Sequence, residues 1–288
     1  MAELRDAYAL CRRVAHLHGP NFSVGFRFLP HAKREAVYVA YAFCRFADDI
    51  VDENPTADVN HRIDRWEKEL DRCYEDKPTH PITLALADVV ARYPVPKTAF
   101  SDLIAGCRMD LTKNRYATFD ELLIYSDLVA TTISTMSLSI FGYHDPTAVD
   151  RGRDLATAFQ LTNIVRDVGE DARRNRIYLP QEELCRFGVK EEDLLRPQPT
   201  PAFVELMRFQ VARVNHLYGK AEPVLDLIEP DARRCTALMG AVYHRVLARI
   251  EELGFPVLTR RVQLSLGGKL ALIGRALASR KPTWNHTS

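Results

Sequence analysis

Two pairs of aspartates, each pair four residues apart, have the residue type and spacing best suited to chemistry. Asp48 and Asp52 form one pair, and Asp167 and Asp171 form the other. On a helix, residues i and i+4 share a face, so each pair places two carboxylates side by side. Both pairs lie in segments that are otherwise apolar nearly all round, which predicts burial in a large core. Because burying a bare carboxylate is very costly, these acids should be paired, protonated or bound to metal.

A hard divalent cation fits these four aspartates. Mg²⁺ typically takes one or two carboxylates, keeps waters and completes its octahedron with substrate phosphate. Arg45 lies one turn before Asp48, and Arg166 flanks Asp167. Both guanidinium groups could hold diphosphate oxygens by charge-assisted hydrogen bonds. The alternative is a solvated helix end with local salt bridges, which two such motifs on two buried helices disfavour. We therefore expect a site for Mg²⁺ and a diphosphate.

Helical periodicity dominates the chain, and almost no alternating strand pattern is present. The pattern predicts helices over 3–18, 31–53, 58–75, 79–93, 96–113, 118–142, 146–173, 201–227, 230–253 and 264–280. The Pro-rich stretch 197–201 is the clearest loop, but the sequence on both sides of it is helical and similarly apolar. We therefore predict an all-α chain with a single domain spanning 1–288.

The composition is that of an ordinary globular protein. The chain has 288 residues, 47% of them hydrophobic, and its 39 basic and 38 acidic residues give a net charge of +1. A nucleic-acid binder would show a basic excess, so no nucleic-acid partner is expected. The six cysteines are scattered, which is typical of reduced, apolar cysteines. No signal-peptide pattern and no uninterrupted apolar run of about 18 residues is present, so we expect a cytoplasmic protein without a spanning helix.

Two long motifs resemble those of the squalene/phytoene synthase family. Residues 41–53, YAFCRFADDIVDE, resemble the first aspartate-rich motif of that family. Residues 160–171, QLTNIVRDVGED, followed by RIYLP at 176–180, resemble the second. The similarity extends from Asn21 to Arg261. It implies an isoprenoid-synthase helical bundle around a central apolar cavity, and an enzyme that joins two prenyl diphosphates head to head.

The resemblance also implies roles for individual side chains. The implied metal ligands are Asp48, Asp49, Asp52, Asp167 and Asp171. The implied substrate-binding residues are Phe22, Phe26, Tyr41, Arg45, Gln160, Asn163, Arg166, Tyr178 and Arg261. Tyr125 matches a family tyrosine whose phenol would shuttle the proton lost during cyclopropane closure. Ordinary core packing is the alternative for Phe22, Phe26 and Tyr125, and a solvated basic turn is the alternative for Arg260 and Arg261.

One segment departs from the family pattern. Thr131 and Ser134 stand where the family usually has glycine. Glycines there favour a close approach to substrate and a helix break, so their replacement leaves the pocket width, and with it the product, open.

The substrate has two candidates within this family. Residues 158–195 read most like bacterial members of hopanoid and carotenoid pathways, which favours farnesyl diphosphate and a presqualene diphosphate or squalene-type C30 product. The alternative is geranylgeranyl diphosphate, giving phytoene. NADPH stays open, because reducing members of the family also lack a glycine-rich dinucleotide fingerprint. A terpene cyclase, a chain-elongating prenyltransferase and a non-enzymatic helical binding protein fit the second motif less well.

The C-terminal segment 264–280 is amphipathic and basic. We interpret it as a helix that closes the core, with peripheral contact to a membrane surface as the alternative.

Overall fold

The computed structural model describes residues 2–18, 25–52, 58–279 and 283–284. In this part of the chain the regular structure is helical, and β-type pairing is limited to two isolated bridges, Arg115–Ile177 and Tyr143–Ile228. The predicted all-α fold is therefore confirmed.

The helices follow one another with short connections. They are α1 (Ala2–His18), α2 (His31–Asp52), α3 (Val59–Tyr74), α4 (Pro81–Arg92), α5 (Lys97–Thr112), α6 (Phe119–Ser126), α7 (Thr132–Phe141), α8 (Ala148–Arg173), α9 (Gln181–Phe187), α10 (Pro201–Ala221), α11 (Val224–Leu227), α12 (Pro230–Glu252) and α13 (Leu266–Ala278). The predicted bounds lie close to these. Helix α9 and the 3₁₀ turn Glu191–Leu195 were not predicted, because such short elements carry little periodicity.

Side-chain caps fix the starts of two helices near the site. Thr118 accepts a hydrogen bond from the backbone N–H of Glu121 at 3.2 Å, and the Glu121 carboxylate accepts one from the backbone of Ala117 at 2.7 Å. These bonds satisfy donors that the first turn of α6 leaves free. Thr200 caps α10 in the same way, with Pro201 in the first turn, which ends the predicted Pro-rich loop.

Helices α2 and α8, which carry the acidic motifs, lie deep in the bundle. Helix α7 packs against both of them, and α5 packs against α2. The buried side chains include Phe43 and Ala47 on α2 and Leu161 and Val165 on α8. This packing explains why both segments are apolar nearly all round.

The helix predicted over 118–142 is interrupted. Residues Asp127–Thr131 form a π-helical segment between α6 and α7. Helix α5 packs tightly against it, since a Cβ built on Gly106 would lie 2.6 Å from Val129 Cγ1. The Thr132 hydroxyl donates to the Leu128 carbonyl at 2.8 Å, a back-bond that bends helices. The helix geometry therefore changes here although Thr131 and Ser134 replace the family glycines.

The same stretch, Phe119–Phe141, is long and apolar enough to cross a membrane by length and composition alone. Its most apolar window has a mean hydropathy of 1.3 and is 39% buried inside the fold. No spanning helix was expected from the sequence, because polar residues interrupt the apolar run here. Core helices pass the same criterion, and this one packs against α5 and α8.

Helix α13 lies on the outside of the bundle, against α12. Ala276 is its only buried residue, and Leu266, Leu270 and Leu277 are exposed. The interpretation of α13 as a helix that closes the core is therefore wrong. Trp284, which follows it, is buried against Gly240 of α12.

Candidate active site

The candidate site lies at the C-terminal ends of three helices. Asp48 and Asp49 are near the end of α2, Asp110 is near the end of α5, and Asp167 and Asp171 are near the end of α8. The C-terminal end of a helix carries partial negative charge, so acids there oppose the helix dipole. This placement destabilises the helices. Positive charge from another part of the site is needed to compensate the acids.

On α2, the acids are held by their own helix and its neighbour. The Cys107 thiol of α5 donates to Asp48 Oδ1 at 3.3 Å. Arg45 forms an ion pair with Asp49 one turn along α2. The contact lacks hydrogen-bond geometry: among the described residues, Arg45 Nε and Asp49 Oδ1 are buried and make no hydrogen bond. Asp52 ends the helix, and its side chain lies outside the described part of the structure.

On α8, Asp167 is held by two arginines. Arg166 donates to both carboxylate oxygens, at 2.8 Å from Nε and 2.5 Å from the terminal nitrogen. Arg261 approaches the same two oxygens, at 3.0 Å and 3.1 Å. Such forked pairs are strong and fix the orientation of the guanidinium. The sequence predicted both arginines for this site, and the structure brings them together on one carboxylate.

Gly169 lets Arg261 reach this position. A Cβ built on Gly169 would lie 2.3 Å from the backbone oxygen of Leu258. The 3₁₀ turn Pro256–Leu258 therefore packs directly on the backbone of α8. Arg173 donates to the same Leu258 oxygen at 2.8 Å and holds the turn from the other side. The glycine within the second acidic motif thus has a packing role that spacing alone did not reveal.

Asp171 is a buried acid whose pKa is raised. Burial, followed by the nearby charges of Asp167 and Glu170, raises this pKa to about 7, against the opposing effect of Arg176 and Arg174. A bound cation would stabilise the charged form of such a carboxyl group and lower its pKa. A small pocket adjoins it, lined by Ile164, Val168, Asp171, Arg176, Ile177, Tyr178, Leu179 and Leu194.

Tyr243 of α12 was not predicted and packs against the acidic helix α8. It hydrogen-bonds Asn163, and its ring stacks on Phe159 with centroids 4.5 Å apart. Burial raises its pKa to about 12, while the charges of Arg166 and Arg261 oppose that rise. Tyr41 also lies within electrostatic reach of this phenol. Tyr243 has no motif spacing to identify it, because it comes from another helix.

Asp110 is a second residue that the sequence analysis missed. Its two carboxylate oxygens accept hydrogen bonds from Tyr125 and Tyr178, each at 3.0 Å. The two tyrosine rings are stacked with centroids 5.3 Å apart, and Tyr116 packs beside both. Burial raises the pKa of Tyr125 well above its ordinary value. The predicted tyrosine is therefore part of a buried group of phenols around one carboxylate.

Three predicted residues remain: Gln160, Phe26 and Phe22. Gln160 is half-buried one turn before Asn163 on the α8 stripe. Phe26 is half-buried and meets Tyr38 edge to face, with centroids 6.0 Å apart, rather than meeting the acids. Phe22 lies outside the described residues.

A divalent cation fits this donor set. Asp49 Oδ1 is buried and has only the Arg45 ion pair without a hydrogen bond, and the pKa of Asp171 is raised, so the described side chains leave carboxylate charge that a cation could compensate. Within the described ranges, no three His, Cys, Asp or Glu side chains converge to hold an ion by themselves. That arrangement suits Mg²⁺, which borrows ligands from substrate phosphate and water.

Comparisons with known proteins identify the family of this chain. Residues 15–267 match the model of the squalene/phytoene synthase family. The chain is 39% identical over 281 residues to a phytoene synthase of Arthrospira platensis, covering 92% of this chain and 90% of that protein. It is 36% identical over 290 residues to the 15-cis-phytoene synthase of Synechococcus elongatus, covering 96% and 94%.

Solved structures show the same fold. A dehydrosqualene synthase in complex with ligand has a TM-score of 0.90 at 29% identity, covering 96% of this chain and 97% of that one. Squalene synthase HpnC from Alicyclobacillus acidocaldarius has a TM-score of 0.83 at 30% identity, covering 88% and 97%. The resemblance found in the two acidic motifs is confirmed along nearly the whole chain. This protein belongs to the squalene/phytoene synthase family and is a prenyltransferase.

Proposed function

We propose that this protein condenses two molecules of geranylgeranyl diphosphate head to head into phytoene, a C40 product. The observation that carries the proposal is the similarity to two cyanobacterial phytoene synthases, at 39% and 36% identity over at least 90% of each chain. The dehydrosqualene and squalene synthase structures share 29% and 30% identity with it.

This proposal replaces farnesyl diphosphate, the substrate that the sequence analysis favoured. That preference rested on residues 158–195, which contain the second acidic motif. In the proposed complex the motif binds the diphosphate, and both candidate substrates carry the same diphosphate. It therefore reports the headgroup chemistry and not the length of the prenyl chain.

In the proposed reaction, the arginines change partners when substrate enters. Arg166 and Arg261 pair with Asp167 in the structure described here, and Arg45 pairs with Asp49. A diphosphate offers these guanidinium groups more negative charge than a carboxylate does, and its planar oxygen pairs suit their forked donors. The acids released in this exchange, Asp49 and Asp167, would then be available to hold Mg²⁺. Mg²⁺, when bound by these acids and the diphosphate, supplies positive charge that assists diphosphate departure.

The proton released during cyclopropane closure needs an acceptor. Because burial holds the pKa of Tyr125 far above neutrality, its phenol stays protonated and is not a base by itself. It can accept a proton only while passing its own to Asp110 Oδ2, 3.0 Å away. In the proposed mechanism Tyr125 is the relay and Asp110 is the terminal acceptor.

The test is product analysis with purified protein. The protein would be incubated with Mg²⁺ and either farnesyl or geranylgeranyl diphosphate, and the products identified by mass spectrometry. We expect a C40 hydrocarbon from geranylgeranyl diphosphate, and none with the Asp167→Ala variant. A parallel reaction with NADPH tests whether a reduction step belongs to this chain.

Two outcomes would count against the proposal. Conversion of farnesyl diphosphate alone would restore the C30 interpretation while keeping the head-to-head mechanism. Consumption of neither substrate, with Asp48→Ala and Asp167→Ala indistinguishable from wild type, would make the two acidic helices structural.

A further inference from the structure

Helix α13 turns an apolar face outward. Leu266, Leu270, Ile273 and Leu277 follow one another at steps of four, three and four residues, which aligns them along one side of the helix. The three leucines are 75%, 57% and 54% exposed. The remaining exposed positions of α13 are glycine and alanine, with Arg275 as the one polar side chain. A helix facing only water would carry polar residues on this side.

The segment around α13 is basic and free of acids. From 253 to 279 the sequence contains Arg260, Arg261, Lys269 and Arg275, and no aspartate or glutamate, whereas the whole chain has a net charge of only +1. Arg261 is engaged by Asp167, whereas Arg260 in the preceding turn and Arg275 on α13 are exposed. The face therefore combines apolar surface with an excess of positive charge.

A short linker connects the candidate active site to helix α13. Leu266, at the start of the helix, comes five positions after Arg261, which contacts Asp167. A fully extended chain of that length spans at most about 18 Å. The linker is also anchored, because Val262 is buried and Leu264 packs against the core. The start of the apolar face therefore lies within about 18 Å of the arginine that contacts Asp167.

We propose that the exposed face of α13 docks on a lipid bilayer that contains anionic headgroups. An apolar face with basic residues and no acids is the pattern of helices that lie in the membrane interface. Long basic side chains can bury their stems along the apolar surface and keep their charges at the headgroups. A second copy of this chain is a poorer occupant, because it would bring the arginines of both copies together with no acid on either helix.

This inference goes beyond the proposed function and does not depend on which prenyl diphosphate is the substrate. It gives the enzyme a place at which apolar chains dissolved in a bilayer lie within reach of the acidic helices. The surface responsible is a helix outside both acidic motifs.

The test is binding of the full chain to vesicles, without prenyl diphosphate. Vesicles of phosphatidylcholine alone and of phosphatidylcholine with phosphatidylglycerol would be separated by flotation. We expect wild type to bind the anionic vesicles, and less strongly at high salt, because salt screens the basic residues. The double variant Leu270→Gln/Leu277→Gln should bind at least about tenfold more weakly, since it removes two leucines that the bilayer would bury.

Two further variants make the test specific. Leu195→Gln is the matched control, because Leu195 is 59% exposed but lies on the separate 3₁₀ turn Glu191–Leu195, and it should bind like wild type. Lys269→Gln/Arg275→Gln should lose the preference for anionic vesicles. Circular dichroism would confirm that each variant keeps its helical content.

Several results would overturn the inference. The inference is wrong if wild type binds neither kind of vesicle. It is also wrong if the Leu270→Gln/Leu277→Gln variant binds as strongly as wild type. If sedimentation velocity shows that this variant turns a dimer into a monomer while wild type ignores vesicles, the face joins two copies of the chain. Because the assay contains no substrate, failure of the C40 proposal leaves these results unaffected.

Discussion

Helices α2 and α8 both carry acids near their C-terminal ends, but they hold them differently. On α2, Asp49 pairs with Arg45 of the same helix, and Asp48 accepts a hydrogen bond from the adjacent α5. On α8, Asp167 is held partly by Arg261, which the turn after α12 presents, and Asp171 keeps a raised pKa. The α2 half of the site is assembled locally, whereas the α8 half depends on docking of a distant segment. Changes to that docking should affect the α8 half alone.

The largest expected effect is a loss of activity that is the same for both halves of the site. A loss of stability is expected for the α8 half only. Asp48→Asn and Asp167→Asn should each lower kcat/KM by about 10²–10³-fold, the usual loss when one electrostatic partner of a reacting group is removed. Only Asp167→Asn should also destabilise the fold, by about 1–3 kcal/mol, because Arg166 is 13% exposed and loses its charged partner. Diphosphate release and urea unfolding measure the two quantities. Equal losses of stability would show that the halves do not differ in this way.

The second prediction concerns the residue that connects the halves. Asp110 lies on α5, which packs against α2, and it holds Tyr178, which follows α8. Asp110→Asn keeps an acceptor oxygen but removes the charge, so kcat should fall about 10²-fold with little change in KM, as for loss of a proton acceptor. Steady-state kinetics check this, with Tyr125→Phe as a parallel variant. A change confined to KM would assign Asp110 to substrate binding instead.

The third prediction tests the docked turn directly. Arg261→Lys should lower kcat/KM about tenfold, because lysine cannot form both contacts of the guanidinium fork and loses about one charged hydrogen bond. Arg260→Lys is the matched control, since Arg260 is exposed and adjacent, and its activity should stay at the wild-type level. Both would be assayed in detergent, away from any lipid surface. Similar losses in the two variants would show that the turn has no defined orientation.

The fourth prediction concerns the contact that places this turn. Gly169→Ala should cost about 1–3 kcal/mol, because the added methyl group overlaps backbone at Leu258 that cannot move as a side chain could. Gly219→Ala on α10 is the control: nothing lies within 4 Å of its built Cβ, so alanine should stabilise the helix by about 0.5–1 kcal/mol. Thermal unfolding gives both values. If Gly169→Ala is neutral, the turn is not fixed by this contact.

The fifth prediction concerns the pH dependence of stability that Asp171 contributes. Below the unfolded pKa of about 3.9 the carboxyl is protonated in both states, so its contribution to stability is fully present. As pH rises, the unfolded chain ionises first, and this stability is lost until pH passes the folded pKa of about 7. In chelator, wild type should therefore lose stability relative to Asp171→Asn between these values. Melting temperatures measured across that range test the difference, and parallel curves would contradict the raised pKa.

The sequence by itself determined the helices and the two acidic motifs. Periodicity marks which side of a helix is apolar, and that signal lies within a few turns of chain, so α2 and α8 were predicted with nearly their observed bounds. The i, i+4 spacing of Asp167 and Asp171 likewise needs no tertiary information. The motifs also carried the family resemblance, because the diphosphate chemistry requires those residues at those spacings.

The tertiary structure decided which side chains stand opposite these motifs. Asp110 and Tyr243 lie on helices without a motif, and Gly169 shows its role only against the backbone of Leu258. The leucines of α13 have the spacing of a core helix, yet they face outward. Spacing along the chain fixes the faces of a helix, but the partner of each face depends on packing between residues far apart in sequence, which no local pattern encodes.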